Sequence, residues 1–297
     1  MQRFEVIIIG GSYAGLSAAL ALGRSLRKVL VVDSRKPCNR FTPHSQNFLT
    51  HDGRKPAEIS AIAKEQVQQY KTVKFLDGLA LSAEKAPEGF TVETDQGSFT
   101  SKRLVLAAGI KDILPDIPGV AECWGKSVIH CPYCHGYEFH GQPTGILANG
   151  DKAFHYAQLI SNLTQELTIF TNGKIDLPTE QLTAVKRNNI TLVETEIERI
   201  EQENGQISAV VLKDGNTHQI NALYHSPHFE QGTNIATSLG CEITEQGLIK
   251  VDQKQMTSVP GVYACGDASN MRAVSVAVSS GTVAGAVINF DLIQESF

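Results

Sequence analysis

The 297-residue chain lacks a strong charge of either sign. Its net charge is −5 and 19% of its residues are charged, so it has no basic field for nucleic acid or an anionic membrane. It also lacks a long apolar start. After Met1-Gln2-Arg3-Phe4-Glu5, the run Val6 to Ile9 is far too short for a signal-peptide core or a membrane span. A cytoplasmic protein with neither nucleic acid nor membrane as partner is expected. A disulfide framework is missing too. Six cysteines in a reducing compartment do not make one. Cys38, Cys123, Cys241 and Cys265 have no paired spacing and read as buried or incidental thiols. What remains is an ordinary globular composition, 42% hydrophobic, with a length that suits two domains.

One stretch organises the chain: His130-Cys131-Pro132-Tyr133-Cys134-His135-Gly136-Tyr137-Glu138. Two cysteines at this spacing can close and open a small disulfide, and the reacting species is the thiolate. His135 directly follows the second cysteine and titrates near neutrality, so it can take a thiol proton and return it. On these residues alone, haem attachment at C-x-x-C-H and a zinc site with His130 or His140 stay open beside thiol–disulfide exchange.

Residues 5–33 read strand, glycine-rich turn, helix, strand. Glu5 to Ile9 is a buried parallel strand by its β-branched run. Gly10-Gly11-Ser12-Tyr13-Ala14-Gly15 is the turn, Leu16 to Leu26 carries helical periodicity, and Val29 to Val32 leads to Asp33. This is a dinucleotide fingerprint with Ser12 where a second glycine is usual. Gly10 permits a tight turn, Gly15 a close helix–strand contact, and Asp33, about 20 residues on, stands where an acid binds ribose hydroxyls. Leu104 to Gly109 is a further strand ending in Ala108-Gly109. Val259 to Asp267 closes on Gly266-Asp267 before a small-residue helix from Ala273 to Phe290. These stretches must meet on one ligand although they lie far apart in the chain, so the first domain is discontinuous.

In their order along the chain, with the C-x-x-C third, these four signals resemble the low-molecular-weight thioredoxin reductase family of FAD-dependent pyridine nucleotide-disulfide oxidoreductases, over nearly the whole chain. The resemblance implies an α/β fold of two Rossmann-like, three-layer ββα dinucleotide-binding domains, the second inserted in the first. An FAD domain of residues 1–115 and 228–297 would enclose an NAD(P)-binding-like domain of 116–227 carrying the C-x-x-C. It implies FAD at Gly10, Gly11, Ser12, Ala14, Gly15, Asp33, Ala108, Gly109, Gly266 and Asp267. Asn47 would belong to the flavin-proximal loop. Arg40 and Asp52 are weaker candidates, each equally readable as a solvated loop charge. A homodimer is also implied.

The second domain has its own strand at Thr144 to Ala148 and helix at Ala153 to Leu163, then a strand at Leu167 to Phe170, a helix at Thr179 to Arg187 and a strand at Ile190 to Val193. Asn204-Gly205 and Asp214-Gly215 mark a small antiparallel meander. Its nucleotide chemistry is depleted. Ala148-Asn149-Gly150-Asp151-Lys152-Ala153 lacks the first glycine, so a methyl group should crowd the turn. Thr171-Asn172-Gly173-Lys174 offers neither arginines for a 2′-phosphate nor an acid for a ribose. NADPH binding is therefore doubtful. Cys134-His135, where thioredoxin reductases carry Cys-Asp, resembles the gliotoxin- and holomycin-type dithiol oxidases. That resemblance makes Cys134 the flavin-facing sulfur, Cys131 the exchange thiol and His135 the base, with oxygen as acceptor and peroxide as product. The substrate is then a small dithiol or disulfide. The alternatives are a reductase of a thioredoxin-like protein drawing on NADPH or another donor, and a zinc-binding or redox-sensing module without turnover. Phe41, His44, His51 and the segment 224–229 could line a site, though packing accounts for each taken singly.

Overall fold

The computed structural model of the protein describes residues 2–297. The chain forms two compact units: Met1–Arg40, Ala57–Asp112 and Phe229–Phe297 make the first, and Phe41–Pro56 with Ile113–His228 the second. The first half of unit one contains strand β1 (Gln2–Ile9), helix α1 (Tyr13–Arg24), β2 (Val29–Asp33), α2 (Pro56–Gln68), β3 (Val73–Asp77), β4 (Ala80–Ala86), β5 (Gly89–Thr94), β6 (Gly97–Leu106) and β7 (Ile110–Ile113). Unit two opens with α3 (Val120–Cys123), β8 (Val128–Ile129), α4 (Pro132–His135), β9 (Thr144–Leu147), α5 (Gly150–Ile160) and β10 (Leu167–Phe170). It continues through α6 (Thr179–Arg187), β11 (Thr191–Val193), β12 (Ile197–Glu203), β13 (Gln206–Leu212), β14 (Thr217–Gln219) and β15 (Ala222–His225). The chain then returns to unit one with β16 (His228–Gln231), α7 (Ile235–Ser238), β17 (Val262–Ala264) and α8 (Val274–Gln294).

Unit one is built on a sheet of order β3-β2-β1-β6-β5-β4, with β17 added alongside β6. β1 pairs in parallel with β2 on one side and β6 on the other, Ile8 lying opposite Val31 and Val105. The run Val6 to Ile9 is buried throughout, as a parallel strand covered on both faces requires. Because the chain leaves β1 toward β2 and reaches β6 only later, the strand order switches direction between β1 and β6. The crevice beyond the C-terminal ends of such strands is where open α/β sheets bind ligands.

α8 is 21 residues long and apolar enough, by length and composition, to cross a membrane. Its small residues lie against α1: a Cβ on Gly281 would stand 2.1 Å from the Ala14 carbonyl oxygen, and one on Gly285 2.8 Å from that of Ala18. Ser17 Oγ donates to the Val278 carbonyl across the same contact, at 2.7 Å. The helix runs four residues beyond the expected end at Phe290.

Unit two has a parallel sheet of order β11-β10-β9-β15-β8 and an antiparallel meander β12-β13-β14. The Asn204-Gly205 hairpin forms as expected, with φ of 54° and 83°, the pair of positive angles that a two-residue turn needs. Two boundaries differ from the sequence reading. Helix α5 begins at Gly150 rather than Ala153, because Asn149 caps it by accepting the Gly150 N–H. Residues 41–56, placed in the first domain from sequence, group with unit two. The reason is packing: Gly125 lies so close that a Cβ there would meet Phe41 Cβ at 3.1 Å and Thr42 N at 3.3 Å.

Candidate active site

In unit one, the stretches that sequence reading picked out converge. Gly10 has φ +109°, and a Cβ on it would stand 2.2 Å from the Ala107 carbonyl oxygen and 2.9 Å from Ala108 N. The glycine therefore lets the β1 turn press against the end of β6. A Cβ on Gly11 would meet the Asp33 carboxyl carbon at 2.6 Å, and one on Gly15 would meet the Gly10 carbonyl oxygen at 1.9 Å. Ser12 is the N-cap of α1 but makes no side-chain cap, so the helix N-terminus stays open to an anion. Gly266, at φ +71°, would clash through a Cβ with that of Ala14 at 2.8 Å, and its N–H donates to Ser280 Oγ at 3.0 Å. Ala108 and Gly109 are held by Gly232, whose N–H donates to the Gly109 carbonyl at 2.8 Å. The segments that carry Gly10 to Gly15, Asp33, Ala108-Gly109 and Gly266-Asp267 thus pack against one another at the C-terminal ends of β1, β2, β6 and β17.

The same unit holds a cluster that the sequence did not disclose. Arg272 grips Asp112 with both terminal nitrogens at 2.9 Å. Cys38 Sγ lies 3.2 Å from the same guanidinium and 3.5 Å from Asp112. Burial pushes the Cys38 thiol up to about 11, Arg272 opposing and Asp112 reinforcing the shift. Asp267 is likewise raised by burial, to about 6, with Arg272 pulling it down and Asp112 pushing it up. The Asp267 residue as a whole remains partly exposed. Arg40 is exposed and donates to the Pro37 carbonyl at 3.0 Å. Asn47 belongs to unit two, contrary to its expected place in the first domain, and its backbone N–H donates to Asp52 Oδ1 at 2.7 Å.

In unit two, β8 delivers His130 and the cysteines. Cys131 and Cys134 form a disulfide with Cα atoms 5.3 Å apart, within the usual range. Pro132 starts α4, where its missing N–H costs nothing. The N–H groups of Cys134 and His135 both donate to the Cys131 carbonyl at 3.2 Å. Gly136 is required: a Cβ there would meet the Pro132 carbonyl oxygen at 2.4 Å and Leu163 Cδ1 at 2.5 Å. Tyr156 Oη donates to the His130 carbonyl at 2.7 Å. Both ring nitrogens of His135 are buried without a hydrogen-bond partner. Burial holds its pKa below the ordinary value, the charge of Glu138 opposing, so a neutral, proton-accepting imidazole is favoured at pH 7. Among the described residues, no group of three or more His, Cys, Asp or Glu side chains could hold a metal ion.

The second nucleotide turn is not a copy of the first. Positive φ falls on Gly150, at +59°, and Ala148 is not in the left-handed region. The positive angle that Gly10 carries in the first turn falls here two residues later than the corresponding position, so Ala148 needs no left-handed backbone. Asn149 closes it: Oδ1 accepts the N–H groups of Gly150 and Asp176 at 2.9 Å, and Nδ2 donates to the Lys174 carbonyl at 2.8 Å. The loop after β10 is pinned further by Gly173 N–H on the Glu194 carbonyl at 2.8 Å and Ile175 N–H on the Glu194 carboxylate at 2.7 Å. The chain's own groups occupy the turn, and Asp151 adds a carboxylate in the first turn of α5. These contacts tie the turn to the loop after β10 and engage part of the helix N-terminus where a pyrophosphate would approach.

Residues 4–281 match the pyridine nucleotide-disulphide oxidoreductase family. A thioredoxin reductase of Claviceps purpurea, tcpT, is 34% identical over 98% of this chain and 95% of its own. The crystal structure of an oxidoreductase from Agrobacterium tumefaciens superposes with a TM-score of 0.92 at 38% identity, covering 99% of each chain. A putative thioredoxin reductase, TrxB, from Bacillus anthracis gives 0.94 at 30% identity over 99% of this chain and 100% of that one. With an open cradle in one unit and a redox-active C-x-x-C in the other, the chain belongs to the pyridine nucleotide-disulphide oxidoreductase family, among its thioredoxin reductase-like, FAD-dependent enzymes.

Proposed function

We propose that the protein oxidises small dithiols to disulfides at Cys131 and Cys134, with oxygen as final acceptor and without a nicotinamide donor. The observation that carries this reading is the Asn149 closure of the second nucleotide turn, in a chain whose first cradle is open. Thr171 and Asn172 reinforce it. Thr171 Oγ1 donates to the Gly173 carbonyl at 2.6 Å, and Asn172 Oδ1 accepts the Ile197 N–H at 2.7 Å. Both side chains are engaged in holding the loop.

A substrate thiolate attacks Cys131 Sγ, the Cys131–Cys134 bond breaks, and Cys134 leaves as the thiolate. His135, neutral and close in sequence, takes the proton of the second substrate thiol. That thiolate attacks the mixed disulfide, the substrate departs oxidised, and both cysteines remain reduced. FAD would supply the two-electron redox chemistry that links the reduced cysteines to oxygen, with hydrogen peroxide as the product. Gly10, Gly15, Asp33 and Asp267 would hold it.

The test is anaerobic mixing of the FAD-loaded protein with dithiothreitol, NADPH or NADH while flavin absorbance is followed. Dithiothreitol should bleach it fast and both nicotinamides slowly or not at all, and air should restore the colour with peroxide formed. Rapid bleaching by micromolar NADPH would overturn the reading. It would favour the other direction, NADPH-driven reduction of a thioredoxin-like protein, which the name of the Claviceps relative supports.

A further inference from the structure

Arg35 stands two residues after Asp33, and its backbone is held against that acid: its N–H donates to Asp33 Oδ1 at 3.1 Å. Its φ is +58°, in the left-handed region that a residue with a Cβ seldom takes. A glycine would fit there without steric cost. The guanidinium is tied down as well. Nε donates to Asp77 Oδ1 at 2.8 Å, and Nη2 donates to Oδ2 of the same carboxylate. Asp77 ends β3 directly opposite Asp33, and the Gly78 N–H donates to the Asp33 carbonyl at 3.0 Å. The flat group of Arg35 therefore bridges the ends of β2 and β3. The ion pair by itself does not explain the backbone. The Arg35 and Asp77 side chains are 63% and 47% exposed, and pairs so exposed contribute little. Lys64, on α2, already offers Asp77 Oδ1 a second cation at 3.4 Å. A left-handed arginine that no strong contact offsets points to a function.

The sheet order says what ligand group comes there. A dinucleotide sets its pyrophosphate at the N-terminus of α1, beside β1, and its ribose on the acid that ends β2. The strands run β3-β2-β1, so a ligand that crosses from β1 to β2 carries its base on toward the end of β3. Resting on the assignment of FAD to this unit, we propose that Arg35 forms the adenine subsite: its guanidinium, anchored along one edge by Asp77, stacks on the base. Asp77 takes Nε and Nη2 and leaves Nη1 without a hydrogen bond among the described residues, in a side chain that is mostly exposed. A guanidinium stacks on aromatic faces, which an ammonium at the same place does less well. The tie to Asp77 fixes the side chain before the ligand arrives, so little freedom is left to lose on binding. The left-handed backbone belongs to the same device. It lets the Arg35 N–H hold the Asp33 carboxylate while the side chain reaches across to β3.

The experiment measures the affinity of the FAD-free protein for FAD, ADP and FMN, by flavin fluorescence and calorimetry, in wild type, Arg35→Ala, Arg35→Gly and Asp77→Asn. Loss of the guanidinium should weaken FAD and ADP by the same factor, about three- to thirtyfold, in both Arg35 variants. FMN, which has no adenine, should bind wild type and variants alike. Asp77→Asn keeps the guanidinium but loosens it, and should weaken both adenine nucleotides by a smaller factor. Arg35→Gly takes the Cβ off a left-handed backbone, so its FAD-free form should melt at or above the wild-type temperature. An arginine that only fastens β2 to β3 predicts the reverse: a lower melting temperature with unchanged ADP affinity. Unchanged binding of FAD and ADP, or an equal loss for FMN, overturns the proposal. If wild type takes up neither FAD nor ADP, the assignment of FAD to this unit fails instead.

Discussion

Burial lifts the carboxyl of Asp267 from an ordinary 3.8 to about 6, against the pull of Arg272 and with the push of Asp112. The sign of the consequence follows from linkage. Between these values the unfolded chain has already lost a proton that the folded apoprotein retains, so the contribution to stability is full below the lower value and is lost as pH rises toward 6. Thermal melts of FAD-free protein should therefore fall across this window more steeply than those of Asp267→Asn. Equal slopes would contradict the burial of the acid. Removing Arg272 should extend the fall to higher pH. The cysteines divide by the same physics. Burial pushes Cys265 up to about 12 and Cys38 to about 11, so both stay protonated and inert at neutral pH. Cys131 and Cys134 hold the exchange chemistry. Cys131→Ser and Cys134→Ser should each abolish dithiol turnover while FAD remains bound, because the cradle residues lie in unit one and the cysteines in unit two. Loss of FAD from either variant would contradict that separation.

At the scale of an element, α5 shows how one residue changes what a helix start can do. In α1 the turn is opened by Gly10 and Gly11 and left uncapped. In α5 Asn149 caps the helix and ties it to the loop after β10. Asn149→Ala should cost about 0.5–2 kcal/mol, and it should speed amide hydrogen exchange at Gly150 and Asp176, whose N–H groups the Asn149 carbonyl holds. Unchanged exchange at both amides would show that the closure does not rest on this side chain. The missing glycine at Ala148 was visible in the sequence, and so was the missing arginine pair. The tie from Asn149 to the loop after β10 was not, because its partner, the Lys174 carbonyl, lies 25 residues away.

For the whole molecule, a discontinuous first unit enclosing a second predicts unfolding that is not two-state. FAD should raise the transition of unit one in proportion to its occupancy, read by hydrogen exchange in β1, β6 and β17, with the meander β12-β13-β14 unaffected. A single transition moving every segment together would refute this. The sequence by itself determined the parts whose signals are short-range: the buried β1 run, the Gly10–Gly15 turn with Asp33, the Asn204-Gly205 hairpin and the redox pair with His135 beside it. Each is set by backbone sterics or by the chemistry of neighbours a few residues apart. Only the tertiary structure decided that residues 41–56 join unit two, since Gly125 leaves room for Phe41. It alone brought Arg272 to Asp112 across 160 residues and left both ring nitrogens of His135 buried without a hydrogen-bond partner. Burial and long-range contact depend on which distant segments meet, and no local pattern of residue types records that.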